Sequence, residues 1–254
     1  MGLGTRRGID LGVQGIYYRY RESSLDVTEL GPMVGFTAAG TYTFGPGLFA
    51  TLDTRYALGD LDYRGSCTSD DNWNDMWEVR GLVGMDYYNG GNISLSPYTG
   101  LGFRDLYDDN RGRTTINAGG YRRENQIYYL PIGVMPRMKL EEGSRITSLL
   151  EYDILLHGSQ TSYLSDAGFG DPNIENQQHS GFGIRANIMY ETPWWSVGPF
   201  LNYWDIDKSK DKTFLDTSSS TCTALGGSAP CVLTGNEPKN HTYEMGVQFK
   251  IHFF

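Results

Sequence analysis

The last fourteen residues read His241-Thr-Tyr243-Glu-Met245-Gly-Val247-Gln-Phe249-Lys-Ile251-His-Phe253-Phe254. Every odd position from 243 to 253 is apolar or aromatic, and most even positions are polar. Successive side chains of a β-strand point to opposite faces, so this period of two predicts a strand with one greasy face and one wet face. The run is about as long as the roughly 9–11 residues that a strand needs to cross a bilayer.

The same pattern recurs along the chain. Alternating segments lie at Ile9–Tyr20, Met33–Phe44, Leu48–Leu58, Trp73–Tyr87, Ile93–Phe103, Ile127–Met138, Arg145–Leu156, Phe182–Tyr190 and Trp195–Tyr203, and the C-terminal run completes about ten. No segment carries a helical period. The connections alternate in length. Short turns stand at Phe44-Gly-Pro-Gly47, Asn89-Gly-Gly91, Leu140–Ser144 and Glu191-Thr-Pro-Trp194, and longer polar loops cover about 21–30, 59–72, 105–125, 157–180 and 206–240. Short turns on one side and long loops on the other are the pattern of transmembrane barrels. The sequence therefore predicts an all-β chain: a closed antiparallel transmembrane β-barrel of about ten strands, with eight or twelve as alternatives, forming a single domain over 1–254. The terminal run resembles the closing strand of bacterial outer-membrane β-barrels, whose last aromatic is recognised by the assembly machinery. Here Phe253 is in register with the apolar face and Phe254 falls one beyond it.

Bulk properties agree with that class. The chain has 254 residues, 33 of them Gly and 18 Tyr, and only 20% are charged. Mean hydropathy is −0.42, as suits strands that face lipid on alternate residues only. No apolar window is long enough for a transmembrane helix. Met1-Gly-Leu-Gly-Thr-Arg-Arg is basic but leads into no apolar core, so the expectation is a mature sequence whose leader has been removed. The net charge of −9 argues against nucleic acid as a partner. Both termini and the short turns are expected in the periplasm, with the long loops extracellular. The expected partners are outer-membrane lipid and lipopolysaccharide, the barrel-assembly machinery, and an extracellular ligand or envelope protein. No cofactor is called for.

Three cysteines are present. Cys222 and Cys231 flank a Gly/Ser-rich stretch and are expected to close a small disulfide loop in an oxidising compartment, leaving Cys67 over. With four His and no Cys-x-x-Cys, no metal site is expected. Asp70-Asp71-Asn72, with Asp75 close by, is at most a weak cation patch. Aromatics gather at strand ends. Tyr42, Phe44, Tyr87, Tyr88, Trp194, Trp195, Phe253 and Phe254 are expected at one rim. Tyr17, Tyr20, Tyr56, Trp73, Trp77, Phe103, Tyr128, Tyr203 and Tyr243 are expected at the other. Pro97, Pro131, Pro136 and Pro199 interrupt the ladder and call for bulges or strand ends.

The polar phase of the strands should face the lumen. It supplies Asp53, Arg55, Glu78, Arg80, Arg104, Arg145, Glu151, Asp153, Arg185, Glu244 and Lys250, together with Asp10, Gln14, Arg137, Asn187, Asn202 and Gln248. Acids and bases in so narrow an interior should pair, because an unpaired buried charge costs several kcal/mol. That interior is either a packed polar core with water pockets or a narrow path for ions or small solutes. The third loop, from Asp105 to Glu124, is rich in charge and Tyr, and is either a ligand surface or simply solvated.

A barrel of this size resembles the omptins, the outer-membrane aspartyl-type proteases, in strand and loop order over most of the chain. Omptins carry an Asp-x-Asp pair at the outer end of the third strand, where Asp60-Leu-Asp62 stands here. Their Asp-x-His pair lies near the outer end of the seventh strand, where this chain offers Asp153-Ile-Leu-Leu-His157. That spacing departs from the motif. On an unbroken strand it keeps the two on one face but about 13 Å apart at ~3.3 Å per residue, too far for a hydrogen-bonded couple. Three readings of function follow: a narrow channel or transport component, a non-conducting scaffold that binds through its loops, and an omptin-like hydrolase.

Overall fold

The computed structural model describes residues 2–253, apart from 66, 89, 113, 116–118, 141–142, 171–172 and 225. The register of Phe254, the turn residues Asn89, Glu141 and Glu142, and part of the third loop lie outside the described residues. In chain order the strands are β1 (Gly8–Glu22), β2 (Val27–Phe44), β3 (Leu48–Arg64), β4 (Thr68–Met85), β5 (Tyr87–Tyr88), β6 (Ile93–Asp109), β7 (Arg122–Lys139), β8 (Arg145–Tyr163), β9 (Asn173–Gln178), β10 (Gly181–Glu191), β11 (Trp195–Ile206), β12 (Lys212–Asp216), β13 (Cys231–Gly235) and β14 (Asn240–Phe253). A 3-10 turn (Leu164–Ala167) and a short helix α1 (Ser219–Ala224) complete the elements.

Each long strand pairs antiparallel with its neighbours in the order β10-β11-β14-β1-β2-β3-β4-β6-β7-β8, and β10 pairs back to β8. The sheet therefore closes. β9 extends β10 along the far end of β8, so the wall is a ten-stranded barrel, with β12 and β13 forming a separate hairpin outside it. The seam between the first and last strands runs unbroken from Ile9↔Phe253 to Glu22↔Asn240. Closure leaves no open edge, which is what lets β-structure sit in a bilayer without unpaired backbone groups.

The outer wall carries the apolar phase. Ile9, Leu11, Val13 and Tyr17 on β1, and Met245, Val247, Phe249, Ile251 and Phe253 on β14, are all exposed outward. Higher on the wall the outward phase becomes charged, at Arg19 and Arg21, at Asp60, Asp62 and Arg64, and at Asp205 and Asp207. The boundary is a band of touching rings: Trp77 on Phe103, Phe103 on Tyr128, Tyr152 on Phe182, Phe182 on Tyr203, and Tyr203 on Tyr243. Amphipathic rings settle where hydrocarbon gives way to headgroups. Phe44, Tyr87, Tyr88, Trp194 and Phe253 are exposed at the opposite end. Tyr20 departs from its expected place in the band. It has the opposite parity to Tyr17 and points into the barrel.

The strands run farther than the loss of apolar pattern suggests. The stretches expected as loops at 21–30 and 59–72 are mostly strand: β1 runs to Glu22 and β2 starts at Val27, and β3 runs to Arg64 and β4 starts at Thr68. Once the outer face emerges from lipid its alternation carries no hydropathy contrast, although the ladder continues. At the other end the turns are tight. In Phe44-Gly-Pro-Gly47, Gly45 and Gly47 take φ of 50° and 85°, a backbone region that favours glycine. The prolines sit where the ladder is locally broken or tolerant. Pairing lapses on the β6 side of Pro131 and on the β8 side of Pro136, whereas Pro97 and Pro199 stay in register with Val134 and Val247.

Between β11 and β14 the chain makes a cap of β12, α1 and β13. Cys222 and Cys231 are disulfide-bonded within it, and Cys67 is a half-buried free thiol. Asp216 accepts hydrogen bonds from the Gly170 and Ser218 amides at 2.8 Å each, tying the cap to the loop after β8. Proteolysis of unreduced protein is expected to release Cys222 and Cys231 as one cross-linked species, with Cys67 alkylated. Mass mapping that finds all three alkylated without reductant would contradict the cap as drawn.

Candidate functional site

The inward phase of the wall assembles into a continuous chain of ion pairs across the middle of the lumen. Arg104 meets Glu244 at 3.1 Å, and Glu244 meets Arg55 at 2.5 Å. Arg55 reaches Glu78 at 3.5 Å, and Glu78 is clasped by Arg185. Arg185 also holds Asp153 at 2.8 Å and Glu151 at 3.1 Å. Glu151 pairs with Arg80 at 2.8 Å, and Arg80 with Asp53 at 2.9 Å. Two phenols complete the layer, Tyr129 donating to Glu78 and Tyr98 to Glu151, each at 2.6 Å. Both tyrosines lie against glycines. A Cβ at Gly102 would stand 2.2 Å from the Tyr129 ring, and one at Gly133 would stand 2.3 Å from the Tyr98 ring.

Of the inward charges read from the sequence, nine join this septum. Lys250 lines a cavity of about 100 Å³ beneath it, together with Asp10, Asp53, Arg80 and Arg185. Arg145 belongs elsewhere. It pairs with Glu191 at 2.7 Å at the turn end and donates to the carbonyls of Gly2 and Gly4 at 2.8 and 2.9 Å. Thr5 is bound to Asp86, and Arg6 to Glu191, so residues 2–7 cross the turn-end mouth as a strap.

Apolar side chains also enter the lumen, which the polar phase alone did not disclose. Ile16, Tyr18, Met33, Leu61 and Met76 form one buried cluster, and Ile127, Tyr129, Leu155, Trp204 and Ile206 form another. With the septum, these clusters give the lumen a packed interior.

Above the septum, between the loops, lies a pocket of about 460 Å³. Its walls include Leu25, Val27, Tyr63 and Tyr121, and its polar groups include Glu22 and Arg123. Arg123 meets Glu22 at 3.0 Å and Glu237 at 2.5 Å, and Tyr20 donates to the same two carboxylates at 2.7 and 3.1 Å. Ser209 Oγ accepts the Glu237 amide hydrogen at 2.8 Å. Glu237 stands in the loop between β13 and β14. Burial, the largest cause, pushes its carboxyl up to about 7; Arg123 opposes this and Glu22 adds to it. The sequence names Tyr20, but as a rim aromatic, and holds Tyr121 and Arg123 within the third loop, for which a ligand surface is one of two readings; it does not single out Glu22, Ser209 or Glu237. Tyr20 and Glu22 share the inward parity of Gln14, the signal that could have placed them in the lumen.

The residues offered as omptin-like do not converge. Asp60 faces outward, and Asp62, also outward, pairs with Arg64 at 3.2 Å. Asp153 is fully buried in the septum. A bulge shifts the β7–β8 register between Tyr128 and Tyr129, placing Tyr128 opposite His157 and Tyr129 opposite Leu155. His157 is thereby turned to the outer wall against the Tyr128 and His179 rings. Asp153 and His157 thus lie on opposite faces, not the shared face that unbroken alternation implies. The Asp–His couples present are others: Asp10–His252 at 2.7 Å near the turn end, and Asp205–His241 at 3.4 Å on the outer wall. The acidic stretch after Cys67 also disperses, Asp70 pairing with Arg64 and Asp75 accepting from Trp73. Among the described residues, one trio of potential metal ligands among His, Cys, Asp and Glu comes together, Asp216 with Cys222 and Cys231, but both thiols are spent in the disulfide.

No protein-family profile matches the chain, and no characterised protein sequence is significantly similar to it. Solved structures do match. The outer membrane protease OmpT from Escherichia coli superposes with a TM-score of 0.61 at 10% identity, over 97% of both chains. The translocator domain of the autotransporter NalP from Neisseria meningitidis gives a TM-score of 0.42 at 8% identity, over 96% of this chain and 88% of that one. Neisserial surface protein A gives 0.37 at 8% identity, over 97% of both. The fold is that of the bacterial outer-membrane β-barrels. At such identities the likeness extends to the fold and no further.

Two measurements probe the site. Arg185→Ala strands Glu78 and Asp153 in the lumen and is expected to cost about 3–5 kcal/mol, read from urea unfolding of the detergent-folded barrel; a loss under about 1 kcal/mol would show the septum to be solvated. For Glu237, an acid whose pKa rises on folding favours the protonated folded form. The docking it contributes is full below its ordinary value of 4.5 and is lost as pH rises through about 7. Amide protection of Asn236, Glu237 and Lys239 should therefore fall between pH 5 and pH 8, and Glu237→Gln should abolish that dependence.

Proposed function

We propose that this chain is a non-conducting outer-membrane barrel that works through a binding site at its loop end. The observation that carries the reading is the septum. A continuous layer of buried ion pairs spans the lumen, and the strap of residues 2–7 lies across the turn-end mouth. A narrow channel would need both to open. The pocket between the loops, by contrast, has apolar and aromatic walls and a few convergent polar groups, the usual make-up of a ligand site. Glu22 and Arg123 line it, and Glu237, behind the lining between Asn236 and Pro238, shares the same guanidinium, so two carboxylates stand against one arginine there. An aromatic or apolar body with a basic end is the ligand class that fits. In this reading the barrel sits in the outer membrane among lipid and lipopolysaccharide. The assembly machinery engages its C-terminal strand, the termini lie in the periplasm, and the loops meet the ligand outside. Among the described residues the inward acid–histidine couple is Asp10–His252 at the turn end, remote from the loop-end pocket, so peptide hydrolysis at that pocket has no such couple to support it.

Planar-bilayer recording of the refolded protein tests the closed lumen. The expectation is silence from a barrel shown to be folded, and discrete reproducible steps would restore the channel reading. Calorimetric titration with tyramine, which carries a phenol and an ammonium, tests the pocket. Binding should weaken by roughly ten- to a hundredfold in Glu22→Gln, the loss of one charge-assisted hydrogen bond of about 1.5–3 kcal/mol. Equal binding by Glu22→Gln would place the ligand elsewhere.

A further inference from the structure

Arginines in this chain are nearly always answered by a carboxylate. Among the described arginines, those without an ion pair are Arg7, Arg19 and Arg21. Arg7 stands at the turn end, over the Tyr42 ring at 4.5 Å. Arg19 and Arg21 stand together at the loop end of β1, both exposed on its outward face. Among the described residues no carboxylate, hydrogen-bond acceptor or ring engages either of them.

Their place on the wall is particular. Arg19 lies directly across the seam from Tyr243, a ring of the aromatic band, and Arg21 lies across from His241. The pair therefore stands where hydrocarbon gives way to headgroups rather than in bulk water. Two positions on one strand are roughly 6–7 Å apart, so both guanidiniums can reach one group. The outward acids in line with them are engaged elsewhere. Asp62, two strands over, pairs with Arg64 at 3.2 Å, and Asp205, two strands the other way, pairs with Lys239 at 2.8 Å. Beneath the pair the wall is apolar. Tyr17 and Met245 face each other across the seam, both exposed. Next below, Gly15 leaves a notch between Val34 and Val247, where an added Cβ would touch nothing within 4 Å.

A guanidinium at that level gains most from an anion with several acceptor oxygens, and phosphate matches its planar fork. Where a chain answers its other arginines from within, two adjacent unanswered ones among the headgroups leave the answer to the membrane. We propose that Arg19 and Arg21 bind the phosphate of a phosphorylated lipid at the loop end of the wall. Its acyl chains lie below, over Tyr17, Met245 and the notch at Gly15. This inference rests on the barrel fold and is independent of the pocket between the loops.

The test is native mass spectrometry of the folded barrel in neutral detergent, titrated with phosphatidic acid. Diacylglycerol with the same chains serves as the uncharged probe. The expected result is a single phosphatidic acid retained per barrel, with diacylglycerol lost. Arg19→Gln and Arg21→Gln should each weaken retention by roughly fivefold. Arg19→Lys, which keeps the charge but not the fork, should lose less, and Arg7→Gln at the opposite end should change nothing. These side chains are exposed, so the variants are expected to fold, which circular dichroism checks. The proposal is overturned if the wild type holds diacylglycerol as well as phosphatidic acid, or if Arg19→Gln and Arg21→Gln retain the lipid as the wild type does. Full displacement of the lipid by inorganic phosphate would mark a free-anion site and overturn it too. Binding of polyglutamate in place of the lipid would assign the pair to an acidic protein partner, with the same consequence.

Discussion

Alternation in a closed barrel leaves no neutral choice. For each side chain turned toward lipid the next is turned into a lumen barely wider than the side chains themselves. An ionised group there cannot keep its water, and it must be answered by an opposite charge within reach. Arginine meets that demand better than lysine, because its planar fork can face two carboxylates at once. Arg55 is shared by Glu78 and Glu244, and Arg80 by Asp53 and Glu151. Arg185 bridges Glu78 to Asp153 and Glu151. The septum follows from this sharing. Pairs that used each arginine once would leave gaps, whereas arginines used twice make one chain from wall to wall.

Parity was the legible part. A period of two tells which residues face lipid and which face inward, and from it the barrel, its strand count and the inward position of the septum charges could be read. It does not tell which inward residues meet across the lumen. Asp53 and Arg80 are cross-strand partners on β3 and β4, but Arg104 and Glu244 are 140 residues apart and belong to strands that are not neighbours. That pairing depends on the tilt and stagger of the closed sheet, which no local pattern encodes. The apolar clusters were obscured for a related reason. Met76 and Tyr129 look like lipid-facing residues until their parity is counted against Trp77 and Tyr128.

Parity also fails where the ladder slips. The bulge at the β7–β8 pairing lets His157 share the outer wall with Leu156, and it reverses the face expected from Asp153. One inserted residue moves every later side chain to the other face. The same sensitivity governs Tyr20, where counting from Tyr17 gives the inward face that its grouping with the aromatic band concealed.

The distribution of charge, finally, separates a structural layer from a functional one. In and just under the septum four arginines, Lys250 and Arg6 stand against Asp10, Asp53, Glu78, Glu151, Asp153 and Glu244, so the layer is electrically balanced. It needs no ion or ligand to be stable. Between septum and loops the buried acids are Glu22, Glu29, Asp108 and Glu237, and the arginine not already committed to the septum is Arg123. A sheet that places its basic side chains so economically in one layer could have done so in the next. An excess of buried acid is costly to stability, and sites that bear such a cost are commonly the ones that bind. The imbalance therefore directs attention to the loop end, where a basic ligand would supply the charge that the chain itself withholds.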